Sequence, residues 1–299
     1  MSVPTTYRAF RRLPGENSGT IFSTVEKMQS LQSHEVLIRV HAVSLNYRDI
    51  AMLHGKYPIS VKEQGIPGSD CAGEVVAVGS NVSMRIGDRV APIFDLKYIQ
   101  DVDPEGAVGH LGGNIDGVLQ QYAKFDENVL VYIPPHLSWE EAACITCAGT
   151  TAWNALHMSE SEGRPRSALM LGTGGVSTFA LSICLEAGIR PIITSSSDSK
   201  LQEILSLGPE GAIEVINYRT HPEWEMEVLR LTNGKGVDVI LETVGIGSKL
   251  DQGNLCRFLE EKEISLKHII GKVFPFEESP AAFEYLHSGR HTGKVVIRV

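Results

Sequence analysis

Apolar positions follow one rhythm in the first part of the chain and another in the second. In HEVLIRVHAVSLN, Val36, Ile38 and Val40 alternate with other residues, as a strand requires. CAGEVVAVGSN and GDRVAPIF repeat the pattern in shorter runs, each fenced by glycine or a Gly-Asp turn. GHLGGNIDGVLQQYAKF reads as a glycine-rich loop feeding another strand. Strands this short and this often interrupted predict a small or partly open β-barrel.

The rhythm changes near Pro134-Pro135. Ser138 can cap a helix, with Glu140 and Glu141 in the first turn where the dipole favours acids. That helix is expected to end near Cys147, with another starting at Thr150. From Ser167 onward strands and helices alternate: SALMLG, then VSTFALSICLEAG stopped by Gly188, then RPIITS, SDSKLQEILSLG, EVINY, PEWEMEVLRLTNG and VDVILETVG. Four βα units of this length predict a parallel sheet with right-handed crossovers, an α/β doubly wound architecture. A complete sheet would need two more strands. After Gly245 there is instead a helix, KLDQGNLCRFLEEKEI, then HIIGKVFPF, a helix around Pro280 to Leu286, and the strand GKVVIRV.

Composition narrows the function. A net charge of −9 argues against nucleic acid as a partner, which would need a basic face. No run approaches the roughly 20 apolar residues of a membrane span. The first residues carry basic side chains without an apolar run behind them, so no secretory leader is expected. RAFRR has the look of a mitochondrial presequence, but Tyr7 onward alternates like a strand. Five cysteines without framework spacing suit a reducing compartment, and a cytoplasmic protein is expected.

The sharpest chemical signal is Gly172-Thr173-Gly174-Gly175-Val176-Ser177, between a predicted strand and a predicted helix. Gly172 permits the tight turn, and Gly174 leaves room for backbone to approach a diphosphate. The helix that follows offers free N–H groups and the positive end of its dipole. Ser177 is small enough for close packing. The bland alternative is an ordinary glycine-rich βα turn; the run of βα units favours a dinucleotide. At the end of the second strand an NAD site wants a carboxylate for the ribose. Here stand Thr194, Ser195, Ser196 and Ser197, followed by Lys200. Hydroxyls and an ammonium suit the 2′-phosphate of NADP(H). Asp198 lies past the strand end, where capping is the competing role; Ser197 could likewise only cap, leaving Lys200 solvated. Tyr218 could cover the adenine or phosphate, or simply pack.

Several motifs together resemble the zinc-free branch of the medium-chain dehydrogenase/reductases, the quinone-oxidoreductase-like enzymes. They are Asn46-Tyr47-Arg48-Asp49, His54-Gly55-Lys56-Tyr57-Pro58, Ala72-Gly73-Glu74-Val75, Gly87-Asp88-Arg89-Val90, Ala148-Gly149-Thr150-Thr151-Ala152-Trp153 and Gly293-Lys294-Val295-Val296. The resemblance implies a GroES-like β domain (1–134 and 266–299) around a Rossmann dinucleotide-binding domain (135–265), shortened after its fourth strand. It also implies that the C-terminal strand returns to the β domain. In the zinc-using branch a Cys stands at the position of Asn46 and a His-Glu pair at Ser69-Asp70, so only Cys147 matches a ligand. One thiolate cannot hold a catalytic zinc, and no metal is expected. Cys144 and Cys147 read as buried small residues.

By the same resemblance Asn46 lies near the nicotinamide, donating to a substrate oxygen or orienting a water. Tyr57 matches a proton donor, with an aromatic lid as its alternative. Thr150 would contact the nicotinamide and Val244 would lie beneath it. Arg48 and Asp49 are expected to form a structural charge pair, although Arg48 could orient Asn46. His54 and His110 are expected on the surface or in loops. The implied activity is hydride transfer from NADPH to an enone, quinone or carbonyl without zinc. Two alternatives stay open: a zinc-free alcohol dehydrogenase, and an inactive cofactor-binding remnant or redox sensor. The implied partner is a small-molecule substrate. A homodimer is in doubt, because the strand that commonly pairs across it is missing. The shortening itself fits an altered gene model or splice form, a degenerate protein, or a compact active variant.

Overall fold

Strand β3 (Glu35–Leu45) is the hub of the first half. Its Val36, Leu37 and Ile38 are all buried, so it is covered on both faces. It pairs antiparallel with β4 (Asp70–Val78) along one edge, and with β6 (Tyr122–Asp126) and β13 (Lys294–Arg298) along the other. β5 (Arg89–Pro92) and β7 (Leu130–Tyr132) extend the sheet beyond β4, and β12 (Ile270–Pro275) extends it beyond β13. A hairpin of β1 (Thr6–Arg12) and β2 (Ile21–Lys27) closes over it, joined by a bridge from Ala9 to Gln120. The computed structural model describes residues 3–14, 19–97, 109–160, 163, 165–242 and 248–299.

The second half is a parallel sheet of order β10-β9-β8-β11. Its strands are β8 (Ser167–Leu171), β9 (Arg190–Ser195), β10 (Glu214–Asn217) and β11 (Val239–Leu241). Helices α4 (Gly175–Ala187), α5 (Asp198–Leu205) and α6 (Trp224–Leu231) are the crossovers. This is the 3-2-1-4 portion of a doubly wound sheet, and β11 ends it among the described residues. Ile240 on β11 is 57% exposed, as expected of an edge where neighbouring strands would otherwise lie. No helix among the described residues is long and apolar enough to cross a membrane.

Two segments tie the sheets together. One is α7 (Lys249–Glu261), capped by Ser248 and Asp251, whose Leu255 is fully buried. The other is β13, which follows α8 (Ser279–His287). β13 returns to β3, as the resemblance implied, and Gly293 just before it forms a parallel bridge with Gly174.

The segment from Ser138 to Ala155 departs from the expected single helix break. α2 (Trp139–Ala142) has four residues, and a wide π-turn, Ile145–Gly149, precedes α3 (Thr150–Ala155). The physical reason is competition for backbone groups. The Cys147 N–H donates to the Asp70 carboxylate at 3.0 Å, and the Thr146 hydroxyl donates to the Pro92 carbonyl. Both pull the turn away from α geometry.

Glu141 in α2 is buried, yet its acid is well satisfied. It accepts from the Ser138 N–H at 2.9 Å, the Leu266 N–H at 2.8 Å and the Ser265 hydroxyl at 3.0 Å. Burial alone would push its pKa up, but these donors outweigh it and hold the acid below its ordinary value. A lowered folded pKa stabilises above the unfolded pKa, and that stability is lost as pH falls through the folded one. Glu141→Gln is therefore expected to lose about 1–3 kcal/mol at pH 7. The gap to the parent should close below about pH 4. Urea unfolding of both proteins at the two pH values checks this.

Candidate active site

Residues Gly172 to Gly174 connect β8 to α4, and Gly175 and Val176 open the helix. Gly172 sits at φ +90°, a conformation that other residues adopt only with strain. Gly174 is the N-cap of α4, and no side chain caps it. The first-turn N–H groups are thus left for a ligand. Space above Gly174 is open, whereas a Cβ on Gly175 would come within 2.3 Å of the Lys294 side chain. The turn is braced by the Gly293 N–H, which donates to the Thr173 carbonyl at 3.2 Å. Thr173 and Ser177 are buried; Val176 is half-buried.

At the end of β9 the hydroxyl cluster is folded back on the backbone. The Thr194 hydroxyl accepts from the Gly172 N–H at 3.3 Å, and Ser195 Oγ accepts from the Ser197 N–H at 3.3 Å. Ser197 caps α5, accepting from the Lys200 N–H at 3.4 Å. Ser196 stays half-buried beside it. Asp198 is taken by Asn217, whose Nδ2 donates at 2.6 Å. Lys200 is not simply solvated. Its ammonium donates to the His291 carbonyl at 2.8 Å and the Gly289 carbonyl at 3.4 Å. Tyr218 follows β10 directly and is 42% exposed, and its N–H donates to the Ser195 carbonyl. Ser195, Ser196, Lys200 and Tyr218 are therefore brought to one corner of the sheet.

Across the turn lies a group of polar side chains drawn from four elements. Asn46 caps α1 (Tyr47–Leu53), its N–H donating to Asp49 Oδ2 at 2.8 Å. Its side chain accepts from the Lys294 ammonium through Oδ1 and donates from Nδ2 to Ser69 Oγ at 3.4 Å. The Ser69 hydroxyl donates to Asp70 Oδ1 at 2.6 Å. Asp70 Oδ2 accepts from the Cys147 N–H and lies 3.9 Å from the Lys294 ammonium. Lys294 also donates to the Leu45 carbonyl at 2.9 Å. Asp70 is fully buried and the Lys294 side chain is only 3% exposed. Burial pushes the Cys147 thiol up to about 12 and the Cys144 thiol up to about 11, so both stay neutral and inert.

Tyr57 follows α1 and its hydroxyl accepts from Arg48 Nε at 3.3 Å. The Arg48 guanidinium also donates to the Leu111 carbonyl and lies 4.6 Å from the Phe94 ring centre. Two expectations fail here. Arg48 and Asp49 do not form an ion pair, because Asp49 turns to the Asn46 N–H while Arg48 turns to Tyr57 and Leu111. Arg48 makes no bond to Asn46 either; Lys294 does. His110 is largely buried beside Asp95 at 3.3 Å, while the His54 ring lies tilted against that of His287, 4.4 Å between centres. Thr150 is buried, its hydroxyl donating to the Ile145 carbonyl at 3.4 Å. Val244 lies outside the described residues.

The sequence reading missed the parts played by Lys294, Ser69 and Asp70. Lys294 did leave a signal: it is the one charge ahead of the apolar run Val295-Val296-Ile297. A lysine entering a buried strand asks for a buried partner.

Residues 32–135 match the alcohol dehydrogenase GroES-like domain, and 175–256 and 253–297 match models of zinc-binding dehydrogenases. A zinc-type alcohol dehydrogenase-like protein of Schizosaccharomyces pombe is 36% identical, over 92% of this chain and 93% of that protein. The chain belongs to the medium-chain dehydrogenase/reductase family. Its members are nicotinamide-dependent oxidoreductases of alcohol dehydrogenase-like fold, here a GroES-like domain joined to a Rossmann-like sheet. The yeast alignment runs over 329 positions against a chain of 299 residues, so at least 30 residues of that relative have no counterpart here. A crystal structure from Sinorhizobium meliloti 1021, assigned as an alcohol dehydrogenase, superposes over all of both chains with a TM-score of 0.91 at 27% identity. An NAD-dependent alcohol dehydrogenase gives 0.84 at 26% identity, over 98% of this chain and 99% of that one.

Proposed function

We propose that this family member is an NADP(H)-dependent reductase acting on an enone, quinone or carbonyl without zinc. The observation that carries the reading is adjacency. The uncapped turn at Gly172–Val176 lies against Gly293 and Lys294, and Lys294 touches Asn46, so a dinucleotide cradle adjoins an amide donor.

The turn fits a dinucleotide diphosphate: it has a left-handed glycine, open space above Gly174 and an uncapped helix start. Ser195, Ser196 and Lys200 would face the ribose, with Tyr218 alongside. Lys200 gives two of its three N–H donors to carbonyls, leaving one for a 2′-phosphate. Asp198 lies in the first turn of α5, past the end of β9, and gives Oδ1 to Asn217. Thr150 is assigned to the nicotinamide side. When bound, the reduced nicotinamide supplies hydride.

The residues here do not fit a catalytic zinc. Asn46 Oδ1 already accepts from an ammonium, and the Ser69 hydroxyl points at Asp70. Among the described residues no three His, Cys, Asp or Glu side chains converge. Carbonyl polarisation then falls to Asn46, whose amide donates to the substrate oxygen as charge develops there. Tyr57 gives its hydroxyl proton to the α-carbon after hydride reaches the β-carbon. Arg48, donating to the Tyr57 oxygen and lying 5.2 Å from its ring centre, holds the phenol in place. Tyr57→Phe is expected to lower kcat about tenfold or more with little change in cofactor affinity. Steady-state kinetics with an enone measures it, and a smaller loss makes Tyr57 a lid.

The deciding experiment titrates NADPH and NADH into the purified protein, following tryptophan fluorescence, then screens quinones, enones and simple aldehydes. NADPH should bind about tenfold more tightly than NADH or better. Turnover confined to aldehydes would favour the alcohol/carbonyl alternative. Binding of neither cofactor would remove the oxidoreductase reading. One observation favours a second reading, a cofactor-binding protein without turnover: the parallel sheet stops at β11, among the described residues. That reading predicts fluorescence quenching by NADPH with no acceptor reduced.

A further inference from the structure

We infer that Lys294 is a positioning residue: its buried ammonium sets which way the Asn46 amide faces, and so makes Asn46 a donor to substrate. The inference deepens the reductase reading and rests on it for the identity of the acceptor.

An asparagine amide has two nearly isosteric ends, one accepting and one donating. Which end faces the cleft must be decided by its neighbours. An ammonium can only donate, so the end of Asn46 that meets Lys294 is the oxygen. Lys294 is itself fixed by the Leu45 carbonyl and by Asp70, and its side chain is only 3% exposed. Beyond Asn46 the direction of each hydrogen bond is also forced. Asp70 accepts the Ser69 hydroxyl proton at 2.6 Å, so Ser69 Oγ is left to accept from Asn46 Nδ2 at 3.4 Å. The ring closes where Asp70 Oδ2, bound by the Cys147 N–H, lies 3.9 Å from Lys294.

This arrangement uses one of the two N–H bonds of the Asn46 amide. The other has no partner among the described residues, and Asn46 is half-buried, so a ligand can reach it. With Lys294 absent, only the Asp49 N–H of the capping box still faces the Asn46 side chain, and the flipped amide, which would turn a lone pair toward a substrate oxygen, becomes accessible. The same lysine stem crosses Gly175 at the start of α4. One side chain therefore spans the dinucleotide turn and the substrate donor.

The test has a spectroscopic and a kinetic arm. Protein labelled with nitrogen-15 in asparagine side chains gives amide proton pairs, and the Asn46 pair is assigned by its loss in Asn46→Ala. Lys294→Met should move the Asn46 pair while the other asparagine pairs stay in place. An unmoved Asn46 pair overturns the inference. In the kinetic arm, with NADPH and the best acceptor, Lys294→Met should lower kcat about a hundredfold, as should Asn46→Ala. If Lys294 acts through Asn46, the double variant is no slower than Asn46→Ala alone. Losses that multiply would mean an independent role and would also overturn it. Lys294→Arg, which keeps a donor at this position, should recover part of the loss. Should Lys294→Met fail to fold because Asp70 loses its counter-charge, Lys294→Met/Asp70→Asn carries the same comparisons. If the parent protein reduces no acceptor, the reductase reading falls, and the Asn46 signal still decides the positioning role.

Discussion

Gly175→Val should weaken NADPH binding about a hundredfold or more while leaving the protein folded. A Cβ at this position would meet the Lys294 side chain at 2.3 Å, so the lysine must move off the helix start. Moving it costs its bonds to the Leu45 carbonyl and Asn46. The valine itself would stand over the N–H groups that an incoming diphosphate needs. Charge-assisted hydrogen bonds contribute about 1.5–3 kcal/mol each, so two lost contacts amount to two orders of magnitude or more. Fluorescence titration reads the affinity and circular dichroism reads the fold. Affinity equal to the parent would show that the dinucleotide does not lie on this turn.

Phe179→Ala should cost about 3–5 kcal/mol of stability, the usual range for emptying a fully buried aromatic site. Phe179 lies in α4 at 0% exposure. Its ring packs beside Gly149 of the π-turn and Leu255 of α7, so it sits where three elements meet. None of these elements can close the space alone, because the π-turn is pinned to Asp70 and Pro92. Urea unfolding at pH 7 measures the loss. A change under about 1 kcal/mol would mean that the core relaxes around the void.

The elements that depend on local pattern were legible from residues alone. Alternation in Val36, Ile38 and Val40 marked β3, and the Gly172–Ser177 turn marked the start of α4. The shortened sheet was also readable, since only four βα-type strands precede Gly245. What local pattern could not show was any bond between distant residues. The π-turn arises because Cys147 meets a carboxylate 77 positions earlier. The supposed Arg48–Asp49 pair failed because adjacent helical residues point to different faces, and each found a partner elsewhere. Lys294 entered the reading only as a family mark. Its place beside Asn46 needs β13 to pair with β3 across most of the chain.

That pairing also orders events during synthesis. Lys294 and Leu45 are separated by 249 positions, so the ribosome has made every other named strand before β13, with the lysine that links the two sheets, emerges. Until then the nascent chain has a nucleotide turn unbraced at Thr173 and an Asn46 amide free to rotate. Competence should therefore arrive late and all at once, as β13 docks, rather than growing as each half matures.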